Sequence, residues 1–270
     1  MFWFSKKEVK LVCFDMDDTL CDSKSAETEA EVYLLEHVTK DIKDMQSKNK
    51  KTRHANRFET SSCSAFTLLN IFNEVKKSHL HLDISPEGFS RAKWLMETFE
   101  RVEADHDLGI SMNSLMKNVD DYEMKYWEYF NRKVKLYPNT VFTLERLRSK
   151  GIELAMLTDS DGKKGIKAER IAKMALGKYF DYIIISDDTG KNKPSIENWQ
   201  HLLKLSGLDA RQCVMVGDHP DIDLMSAKKL GFITVWTKES LRNDMHIKYV
   251  NYEITDIKDI IRITDRINNK

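Results

Sequence analysis

Short apolar runs rich in β-branched residues alternate with amphipathic stretches over residues 138–270, and one more such run stands near the start of the chain. This alternation predicts an α/β fold built on a parallel sheet. The runs are 9–15, 152–158, 181–186, 212–217, 232–236 and 249–254. Most are apolar over four or five consecutive positions, as strands are when helices cover both faces of their sheet. Helical patterns lie between and after them at 139–149, 164–176, 195–205, 221–230 and 255–267. Pro194, with Ser195 behind it, fits the first turn of a helix. Gly151, Gly207 and Gly231 each follow a helical stretch, where a left-handed residue closes the helix.

Residues 21–137 break this rhythm. β-branched runs are nearly absent there, and 25–45, 64–77, 87–104 and 112–130 carry helical periodicity. The pattern predicts an all-helical module of 21–137 inserted into a core of 1–20 plus 138–270, with a cleft where the two meet. Trp94, Leu95 and Phe99 read as one buried stripe, and Tyr122, Tyr126 and Phe130 as another. Arg91, Arg101, Lys125, Trp127 and Arg132 lie beside those stripes. They are candidates to contact a leaving group, although core packing or a solvated helix face accounts better for each. The basic stretch Lys48–Arg57 is read the same two ways, as a solvated surface or as a rim that draws in anions.

Composition narrows the class. The 270 residues are 41% hydrophobic and 32% charged, with only 10 glycines and 4 prolines, which excludes fibrous and wholly disordered chains. Lys+Arg and Asp+Glu both number 43, so the chain lacks the global basic field of a nucleic-acid binder. No apolar run reaches the roughly 18–20 residues that span a membrane. The opening MFWFSKK is too short for a secretory leader. Cys13, Cys21, Cys63 and Cys213 show no metal or redox spacing, and Cys13 and Cys213 sit inside apolar runs as small hydrophobes. The expectation is a reduced, cytoplasmic protein.

Polar residues collect where the strands end. Asp15 and Asp17 follow the first strand at a spacing of two, and a turn there lets both carboxylates enter one crevice. Such a pair divides the work of nucleophile and general acid/base, but an Asp-rich turn also simply ends a strand. The second strand ends in Thr158-Asp159-Ser160, a hydroxyl and amides suited to an anionic oxygen. The fourth ends in Gly217-Asp218 with Asp221 and Asp223 close behind; Asp218 and Asp223, five residues apart, suit a hard cation, while Asp221 and Asp223 also suit the cap of the next helix. Lys193 precedes a helix between them and can neutralise a bound dianion. In open α/β sheets, ligands gather outside the carboxyl ends of the strands, so these four signals share one edge.

At these residues the chain resembles the haloacid dehalogenase superfamily, in its phosphatase branch with a helical cap after the first motif. Four motifs carry the likeness: LVCFDMDDTL (11–20), LAMLTDS (154–160), GKNKPS (190–195) and VMVGDHPDID (214–223). The connecting segments YPNTVFTLERLRSKGI, GKYFDYIIIS and SAKKLGFITVW are also similar to members of that family. The resemblance implies a Rossmann-like parallel-sheet core and a magnesium-dependent phosphatase acting on a small phosphorylated metabolite. It implies Asp15 as the nucleophile that forms an aspartyl-phosphate and Asp17 as the acid/base. It implies Asp18, Thr158, Asp159 and Lys193 around the phosphate. Mg2+ would be held by Asp15, the Asp17 carbonyl, Asp218 and Asp223. Asp17 is the residue that dehalogenases of the superfamily lack, so its presence favours phosphate chemistry.

The chain departs from the family pattern at Asp159 and Asp161, whose charges would weaken dianion binding unless they face away. Three other activities fit the same motifs or fold: a phosphomutase, a catalytically silent binder and a phosphoprotein hydrolase. Loss of Asp15, Asp17 or Lys193 would mark the silent binder, and none is lost. A lid that encloses small substrates argues against the phosphoprotein hydrolase. The expected assembly is a monomer or homodimer.

Overall fold

A computed structural model describes residues 8–52, 65–82, 85–105, 110–238 and 247–269. Strand β1 (Leu11–Phe14) leads into five helices, α1 (Ser23–Thr52), α2 (Ala65–Leu82), α3 (Arg91–Asp105), α4 (Met112–Met116) and α5 (Val119–Lys133). The alternating part follows as α6 (Thr140–Ser149), β2 (Glu153–Thr158), α7 (Ile166–Lys173), β3 (Tyr182–Ile185), α8 (Ser186–Thr189), α9 (Glu197–Ser206) and β4 (Cys213–Gly217). It closes with α10 (Met225–Leu230), β5 (Ile233–Thr237), β6 (Tyr252–Ile254) and α11 (Asp259–Asn268).

All six strands pair in parallel, in the order β3-β2-β1-β4-β5-β6. The order reverses at β1, which has β2 on one side and β4 on the other, so the switch point for ligands lies at the carboxyl end of β1. Alternation along β1 sends Val12 and Phe14 into one apolar layer with Leu144, Leu147, Ile171 and Ile260. Leu11 and Cys13 enter the opposite layer with Trp199, Leu202, Leu224 and Ala227. Helices thus cover both faces, which is why the strands read as continuous apolar runs. The sixth run extends three residues further in sequence than in structure, because Asn251 and its neighbours turn to reach Thr234 through side-chain and backbone bonds. Cys13, Cys21 and Cys213 are free and buried, and Cys63 lies outside the described residues.

Two compact units divide the chain: Met1–Lys24, Ile84–Pro86 and Val134–Lys270 form one, and Ser25–Asp83 with Glu87–Lys133 form the other. Residues 21–24 and 134–137 belong with the sheet because the outgoing and returning chains pair, Asp22 N to Lys135 O at 2.9 Å and Tyr137 N to Leu20 O at 3.0 Å. Ser85 also belongs there, its carbonyl accepting from Asn192 Nδ2 at 2.8 Å. Among its described residues the second unit contains helices and no strand. Leu34 and Val38 of α1, Phe72 of α2, Trp94 and Phe99 of α3 and Tyr122 and Phe130 of α5 are buried. The single helix expected over 112–130 is two, α4 and α5, broken where the Asn118 carbonyl starts the second by accepting from Tyr122 N at 2.9 Å. Residues 53–57 of the basic stretch lie outside the described residues. No helix among the described residues is long and apolar enough to cross a membrane.

Candidate active site

β1 ends one residue before Asp15, whose amide extends the ladder by donating to the Val216 carbonyl of β4 at 2.9 Å. Asp15 is therefore fixed beside Gly217 and Asp218 at the carboxyl edge of the two central strands. Lys193 joins them from the loop between β3 and β4: its Nζ lies 2.6 Å from Asp15 Oδ1 and 2.6 Å from Asp223 Oδ1. All three side chains are buried. Burial opposes the lysine's charge, but Asp15, Asp223 and Asp159 outweigh it and hold the ammonium well above its usual pKa. Pro194, expected in a helical turn, instead follows a cis Lys193–Pro194 peptide, and α9 begins only at Glu197. Its carbonyl accepts from Ser226 Oγ at 2.6 Å.

Asp223 arrives from a π-helical turn, Pro220–Leu224, that follows β4. The extra residue of such a turn rotates the carboxylate back over Gly217, and Asp223 Oδ2 accepts from His219 N at 2.9 Å. One oxygen each from Asp15, Asp218 and Asp223 falls within 4.8 Å of the others. Burial first, then the repulsion of Asp223 and Asp17, carries the Asp15 carboxyl up to about 7 against the pull of Lys193. Burial, with Asp223 and Asp15, raises Asp218 well above the carboxylate range. Three carboxyl groups crowded beside one ammonium offer a cluster of hard oxygen donors, a set that fits a divalent cation such as Mg2+.

β2 delivers Thr158, a buried residue whose Oγ1 has no partner among the described residues. Asp159 does not face a dianion as a free charge; its Oδ1 accepts from Lys193 N at 2.8 Å and anchors the lysine's loop. Burial raises its pKa, with Lys193 opposing. Asp18 lies close enough to the cluster for its charge to help raise Asp218, and its own carboxylate is engaged by the start of α1. Its backbone is left-handed at φ 58°, its amide donates to the Cys21 carbonyl, and Oδ1 accepts from the Ser23 and Lys24 amides at 3.0 and 2.8 Å. That carboxylate caps α1, where acid is favoured by the exposed amides of the first turn.

Asp17 is the surprise of the site. Lys167 Nζ and Ser23 Oγ both hydrogen-bond its carboxylate closely, and Arg170 Nη2 reaches Oδ1 at 2.6 Å. Burial works against its charge, but Arg170 and Lys167 hold the carboxyl well below the usual range. Asp161 completes the group, taking Arg170 Nη1 at 2.8 Å and Lys167 Nζ at 2.9 Å. The extra acid of the loop is thus neutralised within the core. Lys167 and Arg170 go unnoticed in the sequence because basic residues on a short helix are usually solvated; the available signal was their i, i+3 spacing behind an acidic loop.

In the helical unit the candidate contacts serve the unit itself. Arg91 is buried, pairs with Glu27 at 2.7 Å and lies over the rings of Trp94, Tyr126 and Trp127. Arg101 pairs with Glu97, Lys125 with Asp121, and Arg132 lies over Tyr129.

Comparison with known proteins places these features in company. The sequence profile of a family described as haloacid dehalogenase-like hydrolase matches residues 9–231. The chain is 34% identical over 143 residues to a glyceraldehyde 3-phosphate phosphatase of Methanocaldococcus jannaschii, which covers 52% of this chain and 62% of that protein. It is 26% identical over 230 residues to a phosphoglycolate phosphatase of Neisseria meningitidis, covering 85% and 80%. Among solved structures, a HAD phosphatase from Thermococcus onnurineus superposes with a TM-score of 0.67 at 21% identity, covering 94% of this chain and 97% of that one.

Proposed function

The chain belongs to the haloacid dehalogenase-like hydrolases, and from that premise we propose that it is a magnesium-dependent phosphatase that hydrolyses a small phosphate monoester through an aspartyl-phosphate. The observation that carries this reading is the Lys193 ammonium, 2.6 Å from both Asp15 and Asp223, with Asp218 completing a carboxylate cluster and Asp17 two residues from Asp15. Relatives named for glyceraldehyde 3-phosphate, phosphoglycolate and ribulose 1,5-bisphosphate support a small phosphorylated metabolite as the substrate.

In the first half of the reaction, an Asp15 oxygen forms a bond to phosphorus while the ester P–O bond breaks. Asp17 is ionised in the resting site, so the proton it passes to the departing alkoxide oxygen enters with the phosphate ester bound as its monoanion. In the second half, water adds to phosphorus, the bond to Asp15 breaks, and Asp17 takes a proton from that water. Lys193 and the Thr158 hydroxyl hold phosphoryl oxygens throughout, and Lys193 keeps Asp15 aimed. Asp15, Asp218 and Asp223, with the Asp17 carbonyl, would hold Mg2+, whose charge offsets the repulsion between carboxylate and phosphate dianion.

The test is phosphate release from a panel of small monoesters, with and without magnesium, with Asp15→Asn alongside. The expected result is magnesium-dependent turnover that falls by roughly a thousandfold or more in Asp15→Asn. Folded protein that releases no phosphate with magnesium present would overturn the reading.

A further inference from the structure

Lys167, Arg170, Asp161 and Asp17 close into a ring of alternating charge. Each base bridges both acids: Lys167 contacts Asp17 and Asp161, and so does Arg170. The two basic side chains are 2% exposed and Asp161 is 6% exposed, whereas Asp17 is 31% exposed. Three members are therefore sealed in the core, and the fourth is the only one that opens outward. Asp17 receives its donors on both oxygens, Arg170 and Ser23 on Oδ1 and Lys167 on Oδ2.

Burying two cations and two anions is a poor way to stabilise a fold, since apolar residues of similar size commonly do as well or better. What the ring does supply is direction. A carboxylate on an exit loop has freedom about two side-chain torsions, and an acid/base must keep one geometry against the reacting oxygen. Lys167 and Arg170 sit one turn apart on α7, so the rigid helix presents both to the loop at once.

We infer that Lys167 and Arg170, braced by Asp161, are positioning residues that set the orientation of the Asp17 carboxylate for proton transfer. The inference rests on the phosphatase reading, because it gives Asp17 its task.

A double-mutant cycle tests it. kcat and KM are measured on an alkyl phosphate for wild type, Arg170→Met, Asp161→Asn, Asp17→Asn and the double variant Arg170→Met/Asp17→Asn. Thermal melting confirms that each is folded. If Arg170 acts through Asp17, Arg170→Met lowers kcat by roughly 10- to 100-fold with KM within about twofold. The same change costs less than about twofold when Asp17 is already Asn. Arg170→Lys, which keeps a charge on the ring, recovers part of the loss. Asp161→Asn touches no atom of Asp17, is the gentler substitution, and lowers kcat in the same direction. Equal losses in both backgrounds, or an unchanged kcat in Arg170→Met and Asp161→Asn, would overturn the positioning role while leaving an active phosphatase. Wild-type protein without activity would overturn the phosphatase reading and this inference with it.

Discussion

Gly217 occupies a place where a single methyl group would displace a functional carboxylate. A Cβ built on it would run into the Asp223 side chain, 2.6 Å from Cγ. That side chain bonds Lys193 through Oδ1 and the His219 amide through Oδ2, so it has nowhere to retreat without losing a partner. Gly217→Ala should therefore cost about 1–3 kcal/mol of stability and lower turnover by roughly tenfold or more. Urea unfolding and steady-state kinetics read the two effects, and an alanine variant with native turnover would contradict the account. The motif residues at this scale are legible because each lies in a short string at the end of a strand. Their division of labour is less so. Asp17 and Asp18 are adjacent acids in sequence, yet one faces a pair of cations and the other caps a helix.

At the scale of elements, the helical unit holds two kinds of arginine on the same helix. The Arg91 guanidinium is sealed between Glu27 and three aromatic rings at 4.5–5.0 Å. Arg101, 42% exposed, pairs with Glu97 one turn away in solvent. Arg91→Met should destabilise the protein by about 3 kcal/mol, because it takes the cation from the buried ring faces, leaves Glu27 with Lys76 alone and strips the Phe89 carbonyl of its donor. Arg101→Ala should stay within about 0.5 kcal/mol. Denaturant midpoints distinguish them, and equal shifts would show that burial does not separate the two. Periodicity locates α1, α2, α3 and α5, since it records which face is apolar. It cannot record that a charged residue joins that face, which is why Arg91, Lys167 and Arg170 are all missed as buried groups. Nor can it place the break between α4 and α5, where no glycine or proline interrupts the pattern.

For the molecule as a whole, the carboxylate cluster ties stability to pH and to divalent cations. Asp15 and Asp218 both have folded pKa values raised above the unfolded value near 3.9, Asp15 to about 7. Such groups contribute stability that is fully present below about pH 4 and lost as pH rises through the folded value. The cation-free protein should therefore lose stability between about pH 4 and 7, and saturating magnesium should restore roughly 5 °C or more of melting temperature at pH 8. The gain should shrink at pH 5, where protons compete for the same oxygens. Calorimetry at the two pH values decides it, and a magnesium shift that is absent or larger at pH 5 would refute the assignment of these donors. The parallel sheet was legible because continuous apolar runs can be buried only between two layers of helices, and the candidate site motifs because a strand end is a local feature of the chain. Sequence alone thus determined the fold class, the place of the helical insert and the strand-end candidates. Tertiary structure alone decided the sheet order, the two-point bridge of Lys193 between residues 178 and 30 positions away, and the Asp17–Lys167–Arg170–Asp161 ring. Those pairings join residues distant along the chain, and no local pattern states which distant charge will meet which.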